Sequence, residues 1–165
     1  TKGLPFDENV KVGMMIEVPS AAIMADIFAE MCDFISVGTN DLTQYMFAVD
    51  RVNDKVAYLY EPASPAMVRA LEHIAKASSE KCPVSVCGEL ASDPIFAPLL
   101  IGLGITHLSM SSSAIPEVKF LLRKITLAEA KELAANLMQI KTARGVRGSL
   151  REFYYMKMKD YLKLP

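Results

Sequence analysis

At 165 residues the chain can bury one hydrophobic core and is a single domain by length. Its 52% apolar content and mean hydropathy of +0.23 run high for a soluble domain of this size, which fits strands buried on both faces or a piece of a larger protein with its interfaces exposed. A formal net charge of −1 gives no electrostatic case for nucleic acid or an anionic membrane, and Gly, Pro or charge breaks every apolar run before it could span a bilayer.

Residues 1–11 read as a loop without a signal-like segment, leading into a first strand at 12–16 that stops on Glu17. Pro19 and Ser20 open a helix over 21–30, with Ile23, Ile27 and Met31 recurring at helical spacing as its apolar stripe. A second strand at 34–37 opens into Gly38-Thr39-Asn40-Asp41, followed by a short helix over 42–49 and a long loop over 50–64. Ser64-Pro65 is a helix start, an N-cap followed by proline at the first helical position. Met67, Leu71 and Ile74 give that helix its buried stripe, which fades by Lys81. A third strand over 84–86 ends at Cys87-Gly88-Glu89. Asp93-Pro94 then repeats the cap-plus-proline signal, with Gly102 and Gly104 as the stop. A fourth strand over 107–110 ends at Ser111, and 115–123 reads as a helix. Thr126-Leu127-Ala128-Glu129 is a capping box that starts a helix to about Ile140. The tail over 148–164 reads as one more helix, with Phe153, Tyr154 and Tyr155 available for packing. Three cysteines, an odd number without zinc-type spacing, argue for a reducing cytoplasm over a disulfide scaffold.

Near-continuous apolar strands separated by helices give an α/β fold with parallel strands buried on both faces. Four strand–helix units over 1–125, followed by a helical extension over 126–165, make half of an eight-stranded barrel, which takes about 250 residues. A complete four-stranded open sheet fits the same pattern. In either case the reactive groups gather where strands end, because that rim is open to ligand.

Glu17, after five uncharged residues, either caps the helix at Pro19 or ligates a metal. Gly38 allows close approach of backbone to a ligand, and Asn40 with nearby amides can donate to an anion at a helix start. Asp41 alone would be an ordinary N-cap. A second carboxylate at an equivalent strand end shifts the balance, since Mg²⁺ takes one or two carboxylates plus substrate oxygens and water. Arg51 suits a surface pair or the bidentate grip of a phosphate or carboxylate. Cys87 behaves either as a small buried hydrophobe or as a general acid able to protonate an enolate. Cys32, Cys82, His73 and His107 lack such settings and read as structural. Ser109, Ser111, Ser112 and Ser113 either line the rim or serve as turn residues.

The stretches MMIEVPSAA (14–22), FISVGTNDLTQY (34–45), AVDRVNDKVAYLY (48–60), VSVCGELASD (84–93) and LGITHLSMS (103–111) resemble the phosphoenolpyruvate (PEP)-binding barrel of the PEP-utilising enzymes. Within that family the D-R-x-N turn at 50–53 and the L-Y-E-P segment after it are most similar to enzyme I, the PEP–protein phosphotransferases, and the stretch from Cys32-Asp33-Phe34 onward resembles their nitrogen-branch form. They are less similar to pyruvate phosphate dikinase or PEP synthase. The resemblance implies strands 5–8 of a TIM-type (β/α)8 barrel that binds PEP and Mg²⁺. It implies Glu17 and Asp41 as metal ligands, Asn40 with the Asp41 backbone holding phosphate, Arg51 binding PEP oxygens, and Cys87 protonating C3 of the enolate. It also implies a phosphorylated histidine on a domain absent here, an HPr-like phosphocarrier protein as partner, homodimerisation and a cytoplasmic setting. Two other readings stand beside it. One is a metal-dependent pyruvate aldolase or lyase, against which Arg51 and the Cys87-Gly88-Glu89 turn argue. The other is a non-catalytic half-barrel that serves in assembly.

Overall fold

A computed structural model describes residues 3–77 and 81–161. Four strands, β1 (Gly13–Ile16), β2 (Phe34–Gly38), β3 (Val84–Cys87) and β4 (His107–Leu108), form one parallel sheet in the order β1-β2-β3-β4. Sheet order follows chain order, so each crossover returns beside the strand before it and the chain advances in one direction. Met15 pairs with Ser36, Ser36 with Ser85, and Ser85 with His107, while Gly38 pairs with Cys87 one step nearer the carboxyl ends.

The period of two along the strands separates two faces. Ile16, Ile35, Val37, Val84 and Val86 are buried under helices, whereas Met15 and Phe34 are exposed and Ser36, Ser85 and Cys87 half-buried on the opposite face. The expected burial on both faces is therefore not met. Among the described residues a helical layer covers one face only, and the strands alternate as one-sided strands do.

That layer comprises α1 (Pro19–Ile23), α2 (Ala25–Met31), α3 (Thr39–Phe47), α4 (Pro65–Ala77), α5 (Glu89–Ser92), α6 (Ala97–Gly102), α7 (Ile115–Leu122), α8 (Leu127–Gln139) and α9 (Ala143–Met158), with a 3₁₀ turn at Ala57–Leu59. The Ser64 hydroxyl accepts the Met67 N–H at 3.1 Å, and Met67, Leu71 and Ile74 are fully buried, as their spacing requires. The capping box forms with both of its bonds: Glu129 N–H to Thr126 Oγ1 at 3.2 Å, and Thr126 N–H to the Glu129 carboxylate at 2.8 Å. Leu133, Leu137, Val146 and Leu150 of α8 and α9 join the same core as the sheet residues. Gly102 makes this possible, because a Cβ there would collide with the Ala130 carbonyl oxygen.

Several expectations change. The helix after β1 breaks at Met24 (φ −97°, ψ 19°), and Ile23, Ile27 and Met31 lie on its outer side, 72%, 48% and 77% exposed. Ala22 and Ala25 face the core instead, since small residues let α1 and α2 lie close to α4. The His73 imidazole binds the Ile23 carbonyl at 3.0 Å beside this break, a structural role as expected. The helix after β2 starts at Thr39 rather than 42, and that after Asp93-Pro94 only at Ala97, with the Asp93 carboxylate taking the Ile95 N–H. β4 closes after Leu108, and α9 starts at Ala143, where the Thr142 hydroxyl caps the Gly145 N–H at 3.2 Å. α9 stops at Met158, short of the expected 164, with 159–161 in turns, while the expected helix over 78–80 and 162–164 falls outside the described residues. No helix among the described residues is long and apolar enough to cross a membrane.

Candidate active site

The polar residues picked out along the chain gather at the carboxyl ends of β1, β2 and β3. Glu17 leaves β1 directly and lies across the end of β2. Its Oε2 would be 3.0 Å, and its Cβ 3.1 Å, from a Cβ placed on Gly38. A side chain at 38 would therefore displace the carboxylate, so glycine is what admits it. One step across the sheet, Gly38 pairs with Cys87, which puts Cys87 on the same open face. Its sulfur accepts the Ser36 hydroxyl at 3.6 Å, and the thiol donates to the Val37 carbonyl at 3.4 Å.

Between β2 and α3 there is no loop. The turn is fixed by cross-strand bonds: Thr39 Oγ1 donates to the Cys87 carbonyl at 2.8 Å, and Asn40 Oδ1 accepts the Glu89 N–H at 2.9 Å. Those bonds tie the ends of β2 and β3 together. They also need Gly88, whose φ of +91° suits glycine and whose missing Cβ leaves room for Thr39 and Asn40. With Asn40 Oδ1 committed inward, its amide nitrogen is the end left to face a ligand.

Asp41 sits in the first turn of α3, and its Oδ1 lies 3.6 Å from Arg51 Nη2. The Arg51 backbone N–H bonds Gln44 Oε1 at 3.1 Å, and its Nη1 is buried without a hydrogen-bond partner. A buried guanidinium nitrogen left unpaired is costly, and an anion beside Asp41 would satisfy it. The Tyr60 hydroxyl donates to the Asn40 carbonyl at 3.3 Å. Burial pushes that hydroxyl's pKa up, while the Thr43 and Arg51 side chains pull the other way.

On the β3–β4 side the rim opens into a cavity of about 380 Å³, lined by Asn40, Cys87, Glu89, Ser92, Ser109 and Ser111 among others. Asn40 and Cys87 thus share a wall with Ser109 and Ser111, two of the four serines singled out by position, while Ser112 and Ser113 are not on it. Glu17, Asp41 and Arg51 are not on that wall; they belong to the β1–β2 side of the rim. Among the described residues no three His, Cys, Asp or Glu side chains cluster as a metal cage.

Residues 1–127 match the family model for the PEP-binding domain of PEP-utilising enzymes. This chain belongs to the PEP-utilising enzyme family. Within the family, the chain is 42% identical over 146 residues to a phosphoenolpyruvate-protein phosphotransferase of Geobacillus stearothermophilus, covering 88% of this chain and 25% of that protein. A protein of the same name from Borreliella burgdorferi is 48% identical over 139 residues, covering 84% and 24%. Another, from Buchnera aphidicola of Schizaphis graminum, is 42% identical over 151 residues, covering 91% and 26%. The chain spans about a quarter of the length of these relatives.

Three residues that hold this site together were not singled out in the sequence. Ser36 touches the sulfur, Thr39 ties α3 to β3, and Tyr60 ties the arginine loop to Asn40. A signal existed for Ser36 and Thr39, which are polar residues within or just after an apolar strand. Tyr60 looked like one aromatic among several in a loop.

Proposed function

We propose that this chain is part of a PEP–protein phosphotransferase and supplies roughly strands 5–8 of its (β/α)8 barrel. It would bind PEP at the rim just described and hold the enolate left after phosphoryl transfer. The single observation that carries this reading is the Asp41–Arg51 pair in the first turn after β2, with a buried guanidinium nitrogen unpaired, on the same strand-end rim that carries Glu17 beside Gly38 and, on its β3 side, Asn40 and Cys87. The open sheet face agrees with it, since closing a barrel would bury Met15 and Phe34.

The donor set fits Mg²⁺. Glu17 and Asp41 would supply two carboxylates, no cluster of three His, Cys, Asp or Glu forms among the described residues, and Mg²⁺ commonly completes its octahedron with substrate oxygens and water. When bound, the ion would offset the charge of the phosphoryl and carboxylate oxygens during transfer. The protein residues do the rest. Asn40 and the first amides of α3 hold the phosphate, and Arg51 grips PEP oxygens with the nitrogen that lacks a partner. The phosphoryl group passes from the enol oxygen to a histidine nitrogen on a domain outside this chain, and from there to an HPr-like phosphocarrier. The Cys87 thiol then gives its proton to C3 of the enolate, forming pyruvate, and the thiolate recovers a proton from solvent through the cavity beside it. A homodimeric parent and a cytoplasmic setting belong to the same reading.

The test uses the intact protein that carries this chain. Cys87→Ala should leave phosphorylation by PEP in place and slow pyruvate formation by about 10²–10⁴-fold, the usual contribution of a positioned general acid. Pyruvate formation at the native rate would refute the acid role. Mn²⁺ can stand in for Mg²⁺ in water-proton relaxation, which reads metal binding without turnover. Unchanged relaxation in Glu17→Gln and Asp41→Asn would refute the metal assignment.

A further inference from the structure

The loop that carries Arg51 is tied to the rest of the fold near both ends, and between them the hydrogen bonds described are its own turns, such as the Val56 and Ala57 N–H groups to the Asn53 carbonyl at 3.0 and 2.9 Å. At its start the Arg51 N–H bonds Gln44. Its middle carries a 3₁₀ turn, and Val52 before that turn and Tyr58 within it are each 80% exposed. At its end Tyr60 donates to Asn40, and the next residue, Glu61, pairs with Arg147 of α9. The other Glu61 oxygen accepts the Ala63 N–H at 3.0 Å, so that carboxylate is fixed from two directions and only 19% exposed.

The helix on the far side of this pair is itself well held. Val146 and Leu150, on either side of Arg147, are buried, and the helix start is capped by Thr142. Farther along, Lys157 pairs with Glu129 of α8, and the Tyr154 hydroxyl donates to Glu117 of α7 at 3.1 Å. Nearly all of α8 and the whole of α9 lie beyond the segment matched by the family model. An exposed ion pair usually adds little to stability. This pair differs in position: it joins an anchored helix to the closing end of a loop whose middle is held by its own turns.

We propose that Glu61 and Arg147 form a strut that sets the closing end of the arginine loop, making α9 a positioning element for the site. Arg147 touches no reacting group. It acts through Glu61 on Tyr60, and through Tyr60 on Asn40 and on Arg51. The link to substrate rests on the proposed function, in which Arg51 grips PEP; the strut itself does not.

Two measurements separate these levels. In this chain, hydrogen exchange of amides over 50–62 should speed up by about three- to tenfold in Arg147→Ala and in Glu61→Ala. Exchange in α4 should stay native, which shows that the fold persists. The swapped pair Glu61→Arg with Arg147→Glu should return the protection that Arg147→Ala removes, apart from the Ala63 N–H, which an arginine at 61 cannot accept. Unchanged loop exchange in the single variants, or no recovery in the swap, overturns the strut. In the intact protein, Arg147→Ala should raise the KM for PEP roughly three- to tenfold with kcat within about twofold, because binding geometry is disturbed and the proton donor is not. An unchanged KM overturns the positioning role. Absence of PEP turnover in the unaltered protein would refute the proposed function, while the exchange result would still decide the strut.

Discussion

Replacing Gly88 by alanine tests the geometry of the rim directly. The backbone at Gly88 has φ +91° and ψ −166°, a region occupied almost only by glycine, and holding a side chain there costs about 1–3 kcal/mol. The new Cβ would stand 2.8 Å from Thr39 Oγ1 and 2.9 Å from Asn40 Oδ1. Both atoms are in use, one bonded to the Cys87 carbonyl and the other to the Glu89 N–H. Losing those two hydrogen bonds adds roughly 1 kcal/mol each, for a total of about 3–5 kcal/mol. With a urea dependence of about 2 kcal/mol per molar, the unfolding midpoint should fall by roughly 2 M. Gly104→Ala is the control. Gly104 has nearly the same φ, +94°, but nothing lies within 4 Å of its missing Cβ, so only the backbone cost of about 1–3 kcal/mol applies. If both variants lose the same stability, the claim that Thr39 and Asn40 fill the space beside Gly88 is refuted.

Gly102→Ala should separate α6 from α8, because the added methyl would meet the Ala130 carbonyl and press on Ala134. The expected loss is about 1–3 kcal/mol, seen as a Tm several degrees lower, and a native Tm would show that the two helices do not touch there. Glu129 concerns acid stability. The Lys157 ammonium, with help from the Thr126 N–H, holds its carboxyl down to about 2, against an ordinary 4.5. A depressed carboxyl stabilises the fold fully above its unfolded value and loses that contribution as pH falls through its folded value. The stability gap between native protein and Glu129→Gln should therefore shrink from pH 4.5 to about pH 2. Parallel Tm curves across that window would refute the assignment.

How much of this was legible in the sequence depended on whether the deciding interaction was local. The cap at Ser64 and the box at Thr126 are bonds between residues three apart, and both appeared as read. The strands were placed within a residue or two because a short apolar run bounded by polar or turn residues has few alternatives. The helix after β1 was misjudged for a nonlocal reason. Ile23, Ile27 and Met31 share one helical face and Ala22, Ala25 and Ala29 another, so periodicity alone cannot say which one meets α4. Distance decides: with α4 close by, the alanine face fits and the larger side chains turn outward. Strand ends drew attention to Glu17, Asp41 and Cys87 because parallel sheets put ligand-facing groups there. Tyr60 and Arg147 were not legible, since their roles depend on contacts between parts of the chain far apart in sequence.

On the proposed reading, the start of α3 suits an anion, and it shares the lack of a capping side chain with α2 and α5. α8 and α9 begin with threonines whose hydroxyls take up first-turn N–H groups, and α4 begins with Ser64 doing likewise. α3 begins on Gly38, with no capping side chain and no proline, directly at the end of a strand. Its first amides keep the partial positive charge of an uncapped helix start. Asp41 in that turn is drawn toward Arg51 and so does not close the end of the helix. On the proposed reading this is the point of the arrangement. A capping serine at 38 would satisfy the amides that the phosphate needs, and its Cβ would also collide with Glu17. Glycine at this position therefore serves both the carboxylate on one side and the anion on the other, which is why the two can share a single strand end.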